Sequence, residues 1–278
     1  MAEPAVAAGP ISIAAHSHMG RVRKNNEDRV ATQAELGLLL LADGMGGHNA
    51  GEVASRMAVE VVQNTVNSTL GSGRALPPAQ GNNSAEAELL RDAIRLAHAA
   101  IRRAAGKNPV YQGMGTTMVA CLLHDDRLVA AHVGDSRLYR LRDGVLEQIT
   151  QDHSLVGELV ARGFYSPEEA KARIRKNMIT RALGGEHEVL EVDLLEEPLQ
   201  VGDLYLLCSD GLTDMAGDAQ IGAVLRSHGG NVEKAATALI ELALRGGGKD
   251  NVSVVLARVD QSTARKGQSL WKTLSNWF

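Results

Sequence analysis

Two periods organise the apolar residues of the chain. Runs or alternations of strand length occur at 11–15, 36–42, 116–123, 127–133, 137–141, 145–149, 189–195, 203–209 and 252–259, and each predicts a β-strand. Helical spacing fills about 51–69, then 84–105, where Leu90, Ala93, Ile94, Ala97 and Ile101 share one face, and stretches near 218–227 and 231–245. Asn83 and Glu86 have the spacing of a capping box at the start of the second helix. The turn Arg142-Asp143-Gly144 signals a hairpin, and the four strand signals between 116 and 149 read as one antiparallel meander. Residues 71–83 (GSGRALPPAQGNN) read as an exposed loop, and 152–186 as a polar, charged, helix-rich insertion. Strands grouped in hairpins, with helices in blocks, exclude a doubly wound parallel sheet and predict an α+β domain of antiparallel sheets covered by helices.

Composition narrows the class. The 278 residues are 44% hydrophobic, enough for a substantial core, and a net charge of −4 without a Lys/Arg run gives no support for nucleic-acid binding. Cys121 and Cys208 each lie inside an apolar strand signal, which fits buried free thiols in a reducing compartment. No signal peptide and no stretch of membrane-spanning length is visible, so a cytoplasmic protein is expected. The domain is expected over 1–260. A tail at 261–278 holds both tryptophans and one of the two phenylalanines, and reads as a segment that either docks back on the body or binds a partner or membrane interface.

The candidate chemistry sits where strands end. In LLLLADGMGGH, Asp43 follows an apolar run and precedes a glycine-rich turn, which alone is compatible with a turn cap. Asp135, Asp210 and Asp250 repeat that position after or before other apolar strands. Four such carboxylates brought to one end of a sheet would repel one another and raise their own pKa values unless cations neutralised them. Hard oxygen donors without paired His or Cys spacing favour magnesium or manganese over zinc, and two such ions can hold a bridging hydroxide for in-line attack at phosphorus. Upstream, GRVRKNNEDRV supplies Arg23, suited to gripping phosphate, together with Glu27 and Asp28. In the insertion, Arg173, Arg175, Lys176 and Arg181 form either a solvated face or a contact for an anionic substrate.

These residues carry a resemblance. The ordered blocks GRVRKNNED, LADGMGGH with GEVAS, GMGTT, HVGDSRLYRLRDG, ITQDHS, ITRALGG, LLCSDGLTD and RGGGKDNVSVV resemble the metal-dependent Ser/Thr protein phosphatases of the 2C type, in their bacterial branch. The resemblance implies a central β-sandwich of two antiparallel sheets flanked by helices on both outer faces. It also implies hydrolysis of phosphoserine and phosphothreonine in proteins by a metal-bridging hydroxide, with two manganese or magnesium ions. By similarity Asp43 bridges the ions with the Gly44 carbonyl on one of them, Asp210 and Asp250 complete the pair, and Glu27 and Asp28 act through waters. Arg23 clamps the phosphate, Asp135 with Asp210 holds a third, weaker ion, and residues 152–186 form a flap. The implied partners are phosphorylated proteins and a Ser/Thr kinase whose action is opposed, and a monomer is expected.

Two positions depart from the pattern. Met45 stands where many relatives place a His to protonate the leaving group, which leaves His48 or a metal-bound water as candidates. His18 stands where many bacterial relatives have Asp, with a modest effect expected. The alternative reading is a non-catalytic phosphatase-like scaffold that binds phosphoproteins; such a chain should have lost some of the ligands, and this one retains them.

Overall fold

A computed structural model of the chain describes residues 3–6, 9–46, 50–72, 76, 81, 83–166, 169, 178–185 and 188–264. The candidate His48, the insertion's Arg173, Arg175 and Lys176, and the aromatic tail lie outside the described residues. Two antiparallel sheets face each other. The first runs β1 (Glu3–Val6), β2 (Ile11–His18), β12 (Val252–Val259), β11 (Leu204–Cys208), β8 (Arg137–Arg142), β9 (Val145–Gln148). The second runs β10 (Asp193–Pro198), β7 (Arg127–Val133), β6 (Met118–His124), β4 (Leu38–Met45), β3 (Asp28–Gln33), with the two-residue β5 (Gly115–Thr116) beside the end of β4.

Strand alternation builds three apolar layers from these sheets. Leu38, Leu40 and Ala42 of β4 face the long helices α1 (Ala50–Leu70) and α2 (Ala85–Lys107). Leu39 and Leu41 point the other way, into the space between the sheets, where they meet Leu207 and Val255. On the far side, Leu206, Cys208 and Val254 pack against α5 (Asp218–His228) and α6 (Val232–Arg245). The expected sandwich with helices on both outer faces is therefore present, and Cys121 and Cys208 are buried free thiols. None of the helices among the described residues is long and apolar enough to cross a membrane.

Two expectations need correction, and one further strand joins the sheet. The strands from 116 to 149 do not form one meander: β6 and β7 belong to one sheet and β8 and β9 to the other, so the chain changes sheets at Gly134-Asp135. Gly134 makes this possible, with φ +111° and a face so close to Thr117 that a Cβ would lie 2.6 Å from its methyl. The second helix is capped by Ser84, whose hydroxyl accepts the Ala87 N–H, while Asn83 donates to Glu88. Finally, DRVATQ forms β3, although only weakly alternating, because it pairs residue for residue along the buried β4.

Candidate active site

The inner-facing series of each strand turns polar at one end of the sandwich. In β4 the series Leu39, Leu41 continues to Asp43. In β11, Tyr205 and Leu207 lead to Ser209; in β12, Ala257 and Val255 lead to Ser253; and Thr117 and Ser136 occupy the same level beside β6 and β8. Every candidate carboxylate lies at this end. Asp28 and Asp43 are direct partners in the β3–β4 register, Asp135 is at the sheet crossing, Asp210 opens the short helix α4 (Asp210–Thr213) after β11, and Asp250 precedes β12.

The main chain is clamped at these positions. Thr117 Oγ1 accepts the Asp43 N–H at 2.9 Å and shares a 2.7 Å hydrogen bond with Ser136, while Thr116 Oγ1 donates to the Asp43 carbonyl. Ser209 Oγ donates to Asp28 Oδ2 at 2.8 Å and accepts from the Ser253 N–H. Asn251 uses its whole side chain: Oδ1 accepts the Glu27 N–H, and Nδ2 donates to the carbonyls of Met19 and Asn25. This holds the loop carrying Arg23 and Glu27 against the start of β12. At Gly44 a Cβ would lie 2.1 Å from the Gly51 carbonyl oxygen, so the backbone after Asp43 packs directly on the start of α1.

The carboxylates themselves are poorly compensated. Burial pushes Asp28 up to about 6, opposed by the Ser253 and Ser209 hydrogen bonds, and its Oδ1 is buried without a partner. Burial and then the charges of Asp28, Asp210, Asp135 and Asp250 push Asp43 well above the usual carboxylate range. Asp210 is raised to about 8 by burial and by Asp135 and Asp250, and Asp135 to about 6 by burial and Asp152. Glu27 is raised by burial, against the pull of Arg23. Arg23 Nη2 donates to Asp250 Oδ2 at 2.7 Å from a half-exposed position.

Among the described residues no group of three or more His, Cys, Asp or Glu side chains forms a finished metal cage. The donor set nevertheless fits hard divalent ions. It is all oxygen, it repels itself, and it includes an orphaned buried acceptor; magnesium in particular keeps several waters and takes few protein ligands. The two departures from the pattern also fall into place structurally. Met45 has no proton to give, and the exposed His18 accepts the Gly20 N–H at Nδ1, a turn contact.

Comparisons with known proteins agree with this geometry. The family model described as protein phosphatase 2C matches residues 15–228. The chain belongs to the protein phosphatase 2C family. It is 46% identical over 246 residues to serine/threonine protein phosphatase PstP of Mycobacterium tuberculosis, covering 88% of this chain but 44% of that protein. The chain thus spans less than half of that relative's length. To serine/threonine phosphatase stp of Listeria monocytogenes it is 41% identical, covering 90% of this chain and 95% of that one. Among solved structures, the PstP catalytic domain in complex with two manganese ions superposes with a TM-score of 0.77 at 42% identity, covering 90% of this chain and 99% of that one.

The candidate carboxylates are legible in the sequence; the layer of small polar side chains beneath them is not. Ser209, Ser253, Asn251, Thr117 and Ser136 hold the carboxylate-bearing backbone. A signal for them exists, since the inner-facing apolar series of β6, β8, β11 and β12 each lead to a Ser or Thr at the same end of the sandwich. Of the basic insertion residues within the described region, Arg181 pairs with Asp193 at 2.8 Å.

Proposed function

We propose that the chain is a manganese- or magnesium-dependent phosphatase that removes phosphate from phosphoserine and phosphothreonine in proteins. The observation that carries this reading is the meeting of buried Asp28 and half-buried Asp43 in one strand register, with Asp43 and Asp210 raised by burial and by the neighbouring carboxylates. In this reading Asp43, Asp210 and Asp250 with the Gly44 carbonyl would hold two cations, Glu27 and Asp28 would support them, and Asp135 with Asp210 would hold a third. The cations, when bound, neutralise developing charge on the phosphoryl oxygens and acidify water.

This chain's own residues do the rest. Arg23 leaves Asp250 for the substrate phosphate and adds a charge-assisted, forked contact. Thr117 and Ser209 keep Asp43 and Asp28 from relaxing away from each other. Met45 cannot protonate the leaving alkoxide, so that proton comes from His48 or from water. In the cell a monomeric enzyme of this kind opposes a Ser/Thr kinase, with residues 152–186 as the flap beside the substrate and the tail from 261 as a docking segment.

The test is manganese-dependent release of phosphate from a phosphothreonine peptide. Turnover abolished by chelator and by Asp210→Ala supports the proposal. Absence of turnover by folded protein at millimolar manganese on several peptides overturns it.

A further inference from the structure

His153 joins three pieces of the molecule. It is 2% exposed and stands immediately before the first helix of the insertion, α3 (Leu155–Ala161). The Gly134 N–H donates to its Nδ1 at 3.1 Å, so the ring proton sits on Nε2, which donates to Asp193 Oδ2 at 3.1 Å. Asp193 also receives Arg181 Nη1, and these two cationic or polar partners hold its carboxyl below the usual range. The backbone repeats the link, because the His153 N–H donates to the Gly134 carbonyl and the Thr180 N–H donates to the His153 carbonyl. Leu155 N–H on the Met178 carbonyl and the Ser154–Ile179 bridge close the two ends of the insertion on each other. Behind the ring lies the buried His132, its ring tilted by 41° at 4.5 Å between centroids, with no hydrogen-bond partner on either nitrogen.

The other side of Gly134 reaches the carboxylates. Gly134 precedes Asp135, and its Cα lies against Thr117, whose hydroxyl holds the Asp43 N–H. One imidazole, itself at the start of the insertion, therefore reaches through Nε2 the β10 residue Asp193, which also holds Arg181 near the other end of the insertion, and through Nδ1 the carboxylate end of the sandwich.

We propose that His153 is a positioning residue that seats the base of the insertion and the Gly134–Asp135 turn as one unit. The Nε2 contact with Asp193 sets how a protein substrate is received, and the Nδ1 contact with Gly134 sets the carboxylates that do the chemistry. This rests on the phosphatase reading above.

The two contacts separate by substitution. The Asn oxygen in His153→Asn reaches the place of Nδ1 and keeps the Gly134 bond while losing Asp193; the Gln amide in His153→Gln reaches the place of Nε2 and does the reverse. His153→Asn raises KM for a phosphothreonine protein about five-fold and leaves kcat/KM for p-nitrophenyl phosphate within about two-fold. His153→Gln lowers kcat on both substrates about ten-fold. Hydrogen exchange at the Leu155 and Thr180 amides quickens in His153→Asn and not in His153→Gln. Asp193→Ala and Arg181→Gln, at part-exposed positions, repeat the first pattern should a His153 variant fold poorly. Equal losses on both substrates in both variants, or no change in either, overturn the proposal. Should the wild type release no phosphate at all, the phosphatase reading fails, and the exchange contrast alone then decides whether His153 couples the two regions.

Discussion

The two ends of the sandwich use the same residue type in opposite ways. At one end Asp28, Asp43 and Asp210 are raised by burial and by neighbouring carboxylates, and Asp135 by burial and Asp152. At the other, Asp203 precedes β11, whose far end leads to Asp210, and it is 1% exposed yet fully answered. Arg142 donates to both its oxygens at 2.7 and 2.6 Å, and the Gln200 N–H and the Tyr205 hydroxyl add to them. Asp126, in the turn between β6 and β7, likewise accepts from Ser262, Thr263 and Ala264. Burial would raise both groups, but these bonds outweigh it and lower them. A structural carboxylate brings its partners with it. A carboxylate kept for a ligand leaves that place open, and position at a strand end does not distinguish the two.

Removing charge from each end sharpens the contrast most. Asp210→Asn lowers phosphate release at least about 1000-fold while the chelator-treated protein melts no lower than wild type, because a repelling charge has gone. Asp203→Ala leaves kcat unchanged and costs about 3 kcal/mol in urea unfolding, since the Arg142 fork loses its anion. Next in size, Arg23→Ala lowers kcat/KM about 100-fold in steady-state assays, with partial recovery in Arg23→Lys, which keeps the charge and loses the fork. Ser209→Ala removes the 2.8 Å hydroxyl donor to Asp28 Oδ2 and weakens manganese binding about ten-fold by calorimetry.

The smallest effect is the pH dependence of stability, which has opposite signs at the two ends. Asp28, Asp135 and Asp210 have folded-state values above their unfolded ones. Their contribution is fully present below the unfolded carboxylate pKa and is lost as pH rises through about 6 to about 8. Asp203 and Asp126 are lowered, so their contribution is present at neutral pH and is lost as pH falls toward their folded values. In chelator, the melting temperature falls by roughly 5 °C between pH 5 and pH 8.5; with manganese the fall disappears, because the ions bind the deprotonated groups. A flat profile in chelator would break the comparison.

The sequence showed these carboxylates and the sandwich for a simple reason: Leu39, Leu41, Leu207 and Val255 lie in apolar runs of strand length, buried on both faces, and each Asp borders such a run. It hid the sheet crossing because Gly134-Asp135 looks like any turn, and whether a turn returns to its own sheet depends on packing against Thr117. It hid β3 because that strand takes its regularity from β4. The support beneath the site was hard to read because serine and threonine hydroxyls have no spacing of their own; their role exists only once Ser209 from one sheet meets Asp28 from the other.

The most direct test of the central claim is calorimetric titration of chelator-stripped protein with manganese at pH 7.5, beside Asp210→Asn and Asp203→Ala. The account predicts at least two ions bound per chain with release of protons, impaired in Asp210→Asn and intact in Asp203→Ala. Absence of saturable binding by folded wild-type protein, or equal loss in both variants, would contradict it.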